Sequence, residues 1–178
     1  MSYNLSKHKH LFSAWAASTA ASSSKKLRFT IERGITALEH AGFPDDITNK
    51  SVPMEKKKFD EWHKNKCSLI IISLKDPQCS YGIAAKLINV YLKAFLVCDE
   101  STPNALRAII HPPIDRVLLK GLMQNSKNIN DGNYLFWRDA MNGAWSTYSK
   151  ERYFEVINKI HLLFAEGWLV EEFWGGHQ

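Results

Sequence analysis

One apolar stretch limits the folds that are open to this chain of 178 residues. Residues 81–98, YGIAAKLINVYLKAFLVC, are apolar on almost every side of a helix, so this helix has to be buried. Lys86, Asn89 and Lys93 interrupt the stretch. No uninterrupted apolar run in the sequence is as long as the roughly 18 residues that a membrane-spanning helix needs. The pattern therefore predicts a buried helix inside a globular domain, with no membrane as partner.

The remaining patterns along the chain are helical as well. Apolar residues recur at helical spacing over about 6–22, 28–41, 54–74, 114–122 and 150–165. The run CSLIIISL, residues 67–74, is also compatible with a short strand, but the sequence offers no second strand to pair with it. No repeat or linker divides the chain. The sequence predicts an all-α fold, a compact helical bundle forming a single domain over residues 1–178.

Charge and cysteine content narrow the partners and the compartment. Lys and Arg number 23 against 18 Asp and Glu, and the net charge of +5 is compatible with a nucleic-acid partner. Three cysteines without a C-x-x-C pair argue against a disulfide framework and against a zinc or iron–sulfur site, and favour reduced thiols in the cytoplasm. No phosphate-binding loop or dinucleotide fingerprint is present, so no metal and no cofactor are expected. The oligomeric state stays open.

Two helix starts carry the residues of a known motif. Gly82, the hydrophobic Ile83 and Lys86 open one helix, which continues with small and apolar residues; the segment Pro113-Ile114-Asp115 opens a later one. Over residues 78–123 this pattern resembles the second half of the helix-hairpin-helix motif of the endonuclease III superfamily of DNA glycosylases. Ala84 stands where that motif has its second glycine.

The resemblance implies a DNA-binding repair protein that acts as a base-excision DNA glycosylase or AP lyase. Lys86 is then the nucleophile and Asp115 its electrostatic partner. The backbone of Gly82, Ile83 and Ala84 is expected to bind a DNA phosphate at the helix N-terminus. Lys93 and Arg116 are the basic residues expected to contact DNA beside it, and DNA is the expected partner.

The chemistry requires these residue types independently of the resemblance. A glycosidic bond breaks through a state with positive charge on the sugar, which a nearby carboxylate stabilises. A lysine attacks C1′ only as the neutral amine, so that desolvation must lower its pKa. The apolar neighbours of Lys86, among them Ile83 and Val90, can supply that desolvation. Asp115 is expected in the first turn of its helix, where the dipole favours a carboxylate.

Other residues are weaker candidates. Tyr134, Phe136 and Trp137 can stack on a flipped base, or they can belong to the core. Glu171 and Glu172 offer a second acidic candidate, or a solvated pair.

A non-catalytic explanation remains open for the main candidates. Lys86, Asn89 and Lys93 lie at i, i+3 and i+7, which is also the spacing of a solvated stripe. Asp115 can serve only to satisfy free N–H groups at its helix start. The alternative function is thus a helical module that binds nucleic acid or protein without catalysis. If the protein is an enzyme, Lys86 and Asp115 should lie within several Å of each other in a pocket. If it is a non-catalytic module, Lys86 should lie in solvent.

Overall fold

The computed structural model describes residues 3–23 and 26–177, and these ranges contain helices and no strand. The α-helices are α1 (Leu5–Ala21), α2 (Ile31–His40), α3 (Asp45–Thr48), α4 (Lys56–Leu74), α5 (Tyr81–Leu92), α6 (Asn104–Ile109), α7 (Arg116–Ile129), α8 (Tyr134–Asn142) and α9 (Lys150–Leu163). A π-helix covers Lys93–Val97, and 3₁₀ turns cover Trp145–Thr147, Gly167–Phe173 and Gly175–His177. The predicted all-α class is confirmed.

Side-chain caps begin α1, α2, α5, α7 and α9. Asn4, Thr30, Ser80, Asp115 and Ser149 each precede a helix and accept a hydrogen bond from the backbone N–H three residues later. Each cap satisfies one of the N–H groups that a helix start leaves without a partner. Asp115 lies one position earlier than predicted, at the cap itself.

Left-handed residues follow several helix ends. Gly42 has a φ of 93° just after α2, as the sequence HAGFP predicts. Lys75 and Asn130 adopt the same region after α4 and α7 without being glycine. The isoleucines at 70–72 lie in the last turns of α4, so the strand alternative for this run is wrong.

Helix α5 is the centre of the molecule, as its composition requires. It packs against α1, α4 and α9 and against the 3₁₀ turn Trp145–Thr147. Of its twelve residues only Val90 is not buried. The predicted helix over 81–98 ends earlier than expected, because its last turn widens into the π-helix that begins at Lys93.

No helix of the part of the chain described by the structure is long and apolar enough to cross a bilayer. Helices α4 and α5 are consecutive and joined by residues 75–80, where the resemblance expects the hairpin. The helix-hairpin-helix assignment itself stays a prediction, as do the boundaries of the single domain.

Candidate active site

Helix α5 and the start of α7 bring Lys86 and Asp115 together. The Lys86 Nζ lies 3.4 Å from Asp115 Oδ2, although 29 positions separate the two residues in the chain. Both side chains are shielded: 7% of the Lys86 side chain and 16% of the Asp115 side chain are exposed. The alternative that Lys86 belongs to a solvated stripe is therefore wrong. Asn89, a second residue of that stripe, is fully buried.

Trp145 covers the lysine from one side. The Lys86 Nζ lies 4.2 Å from the centroid of the indole of Trp145, close enough for a cation–π interaction. Burial lowers the pKa of Lys86, while the charge of Asp115 and its hydrogen bond act in the opposite direction. The site thus lowers the free energy cost of the neutral amine, the form that acts as a nucleophile.

Asp115 accepts more hydrogen bonds than a simple helix cap. Its Oδ1 accepts from the backbone N–H of Leu118 at 2.9 Å, which is the cap interaction. Its Oδ2 accepts from the indole Nε1 of Trp174 at 3.1 Å and faces Lys86. The capping role is thus confirmed, but it uses one oxygen and leaves the other for the site.

Two chambers meet at this pair. The large chamber has a volume of about 490 Å³, and the small chamber has a volume of about 260 Å³. Lys86 and Asp115 line both. The large chamber is further lined by Ser23, Arg116, Val117, Met141, Asn142 and Trp145. The small chamber is further lined by Ala16, Val90, Lys93, Pro113, Glu171 and Trp174.

The basic residues of the two chambers differ in their exposure and in their ion pairing. Arg116 is exposed at the large chamber and can meet an anion there. Lys93 is instead held in an ion pair with Glu171 and lies 5.6 Å from the ring centroid of Trp174. Burial raises the pKa of Glu171, and Lys93 opposes that change. Lys93 therefore forms part of the wall of the small chamber. The alternative that Glu171 is a solvated surface acid is wrong.

The predicted phosphate site at the start of α5 is occupied by protein. The backbone N–H of Gly82 donates to the carbonyl oxygen of Tyr148 at 3.2 Å, and the N–H of Ile83 donates to Ser80 Oγ at 3.2 Å. Gly82, Ile83 and Ala84 are all buried. A Cβ on Gly82 would overlap the carbonyl oxygen of Trp145, so this glycine admits a protein backbone rather than a phosphate.

The predicted stacking residues lie away from the pair. Trp137 is 1% exposed and belongs to the core, so a base could stack on it only if the core opened. Phe136 is half-buried beside the guanidinium of Arg152 and the Nζ of Lys159. Tyr134 is also half-buried. None of the three aromatic residues belongs to the described walls of either chamber. We therefore leave them out of the site.

Two tryptophans of the site could not be recognised in the sequence. Trp145 follows a poorly patterned aromatic segment, and Trp174 lies in the tail WLVEEFWGGHQ. Neither belongs to a periodic pattern, since Trp145 begins a 3₁₀ turn and Trp174 follows another. Among the residues that the structure describes, no group of three or more His, Cys, Asp or Glu could hold a metal ion.

Comparison of the chain with protein families, with curated proteins and with solved structures finds no match in any of the three. The function is therefore inferred from the residues of the chain and from the geometry of the two chambers.

Proposed function

We propose that this protein is a DNA repair enzyme of the glycosylase and AP lyase type, with Lys86 as its nucleophile. The observation that carries the proposal is the shielded Lys86–Asp115 pair, with 3.4 Å between Nζ and Oδ2, at the junction of two chambers. A lysine that only solubilises the protein would keep its amine in water.

The pair fits the two charges that the reaction develops. The neutral amine of Lys86 attacks C1′, and the base leaves with the electron pair of the glycosidic bond and takes up a proton. The carboxylate of Asp115 then faces the positive charge that grows on the sugar. At an abasic site the same amine adds to the C1′ aldehyde, and loss of water gives a Schiff base.

The two chambers suit the two parts of a flipped nucleotide. The small chamber is lined mainly by carbon and includes the ring of Trp174, so it suits the base. The large chamber carries the exposed guanidinium of Arg116, which suits the phosphate backbone. The non-catalytic module required Lys86 in solvent with no carboxylate nearby, and the burial of the pair favours the enzyme over it.

Borohydride trapping tests the proposal. A duplex with one abasic site is incubated with the protein and reduced, since hydride delivery to the Schiff base leaves a stable secondary amine between Lys86 and C1′. We expect a covalent adduct with the wild type and its loss in Lys86→Gln. Lys120→Gln is the matched control and should keep the adduct, because Lys120 is an exposed lysine of α7 that is absent from the described walls of both chambers.

Duplexes with oxidised purines, oxidised pyrimidines and alkylated bases extend the same assay to base excision. The proposal is wrong if no duplex gives an adduct, or if Lys86→Gln forms the adduct as efficiently as the wild type. Binding that is uniform across all these duplexes and weakens steeply with salt, with no adduct, would support the non-catalytic module instead.

A further inference from the structure

A continuous chain of hydrogen bonds crosses the core beneath the Lys86–Asp115 pair. It runs through side chains of α4, α5 and α9 and of the segment between α6 and α7. In order, its members are Cys67, His63, Asn89, Tyr153, His111 and Asp60. All of them except Asp60 are buried, and Asp60 is reached from outside by Lys56 Nζ at 3.0 Å.

One contact fixes the direction of the bonds that run from His63 to Asp60. The amide Nδ2 of Asn89 lies 3.0 Å from the carbonyl oxygen of Pro112, which can only accept a hydrogen bond. The second Nδ2 hydrogen donates to the hydroxyl of Tyr153 at 2.8 Å. The Oδ1 of Asn89 must then accept from Nε2 of His63 at 2.9 Å.

The remaining bonds follow from the same choice. With its oxygen accepting from Asn89, the hydroxyl of Tyr153 donates to Nδ1 of His111 at 3.0 Å. Nε2 of His111 then donates to Asp60 at 2.9 Å. At the other end burial lowers the pKa of His63, so Nδ1 of this neutral ring accepts from the thiol of Cys67, 3.6 Å away. Both histidines are thus neutral and each uses both ring nitrogens, so the chain has one arrangement of donors and acceptors.

The chain of bonds connects the two reactive residues. Asn89 lies one turn beyond Lys86 on the rigid helix α5. Pro112 lies three residues before Asp115, and the side chain of His111 beside it is held at both nitrogens. Pro112 and Pro113 have fixed φ angles, so anchoring the Pro112 carbonyl leaves little freedom for the backbone up to Asp115.

We propose that Asn89 is a positioning residue, whose amide holds the segment 110–115 against helix α5 and so sets the distance between Lys86 and Asp115. Asn89 is not among the described lining residues of either chamber, and it acts through the Pro112 carbonyl and Tyr153. An effect of Asn89 on catalysis rests on the function proposed above. The effect of Asn89 on the distance between Lys86 and Asp115 does not.

The test reads the amine of Lys86 directly and uses no DNA. The Cε resonance of Lys86 is followed against pH in protein labelled with [6-¹³C]lysine, and the variant Lys86→Arg assigns it. Asp115→Asn removes the nearby negative charge, so the pKa of Lys86 should fall. We expect Asn89→Leu to lower that pKa by at least half as much, and the double variant to fall no further than Asp115→Asn alone.

Tyr153→Phe keeps the test decisive if Asn89→Leu does not fold. It removes the hydroxyl that accepts from Asn89, and a smaller shift of the Lys86 pKa in the same direction is expected. Ser18→Ala is the structural control, because it removes a buried hydrogen bond within α1, to the Ala14 carbonyl, and should leave the pKa unchanged. In a folded protein, an unchanged Lys86 pKa in Asn89→Leu or, failing that, in Tyr153→Phe overturns the proposal. So does an unchanged pKa in Asp115→Asn.

The outcome is separable from that of the trapping assay. A shifted Lys86 pKa without any covalent adduct would keep the positioning role and remove the proposed enzyme function. A trapped adduct with no shift in Asn89→Leu would keep the enzyme and remove the positioning role.

Discussion

At the scale of single residues, Asp115 combines two tasks that are usually separate. One carboxylate oxygen caps α7 and the other faces Lys86 and the indole of Trp174. A capping carboxylate can be replaced by an amide at small cost, since Asn and Asp are equally good caps. The second task requires the negative charge. Substitutions at this position should therefore separate stability from activity.

Asp115→Asn should reduce the rate of adduct formation by about 100-fold, the size of effect found when one preorganised electrostatic group is removed. Its free energy of unfolding should fall by about 2–4 kcal/mol, because the hydrogen bond with Trp174 and the shielded ion pair with Lys86 are lost together. Asp115→Ala should be equally slow but about 1 kcal/mol less stable than Asp115→Asn, because it also loses the cap. Urea denaturation and single-turnover trapping measure the two quantities. Equal stability of the two variants would contradict the capping role.

At the scale of elements, the 3₁₀ turn Trp145–Thr147 closes over the start of α5. Gly82 permits this approach, because its missing side chain leaves room for the carbonyl of Trp145. Tyr148 completes the contact by accepting from the N–H of Gly82. The turn thereby places the indole of Trp145 against Lys86. The contact between the two elements should therefore determine how well the amine is shielded.

Gly82→Ala should lower the free energy of unfolding by about 1–3 kcal/mol, the range for overpacking a close contact. The turn has to move away from α5, so the Lys86 pKa should rise toward its ordinary value of 10.5 as the amine gains water. Denaturation and the labelled-lysine titration measure both effects.

Gly143→Ala is the matched control for that variant. Gly143 has a helical backbone conformation, and an added Cβ would lie 3.5 Å from its nearest neighbour, the carbonyl oxygen of Asp139. Its stability and its Lys86 pKa should match those of the wild type. A Gly82→Ala protein as stable as Gly143→Ala would show that the close approach to Trp145 does not constrain the turn.

At the scale of the whole molecule, the core is held together by a polar network as well as by apolar packing. Burial lowers the pKa of His63, His111 and His161, and for His161 the value falls to about 4. The network also contains an acid. Burial would raise the pKa of Asp60, but the hydrogen bond from His111 and the hydrogen bond and charge of Lys56 outweigh it and lower the pKa to about 2.

The protein should lose stability as the pH falls below about 6.5. The unfolded chain protonates its histidines there, while the folded protein keeps His63 and His111 neutral between Asp60, Asn89 and Tyr153. Each such histidine removes at most about 1.4 kcal/mol per pH unit, until the pH reaches its pKa in the folded state. Asp60 acts in the same direction but only between about pH 4 and 2. Urea denaturation from pH 8 to 5 measures the slope.

Removal of a histidine identifies the source of this slope. In His111→Gln the fall in stability between pH 6.5 and 5.5 should be smaller than in the wild type, because one fewer neutral histidine is buried. His40→Gln, at an exposed position, is the control and should keep the wild-type slope. A slope that is the same in all three proteins would exclude His111 as a contributor.

Much of the fold can be predicted from local sequence patterns. Of the candidate site, only the central pair, Lys86 and Asp115, can be predicted in this way. The spacing of apolar residues predicts helices α2, α4, α7 and α9 because burying one face is a property of each helix by itself. Lys86 and Asp115 could be predicted because they lie near or at the starts of their helices, at positions that the resembling motif marks. The covering tryptophans and the partner of Lys93 are not, because tertiary contacts between distant and irregular segments bring them to the site.

The two chambers share Lys86 and Asp115 as a common wall, and this has a consequence for inhibitor design. A compact, mostly apolar molecule could fill the small chamber beside Trp174 and place one acceptor group on the Lys86 amine. Such a molecule would not need to resemble DNA or carry negative charge. It would nevertheless compete with a substrate in the large chamber, because both would require the same amine.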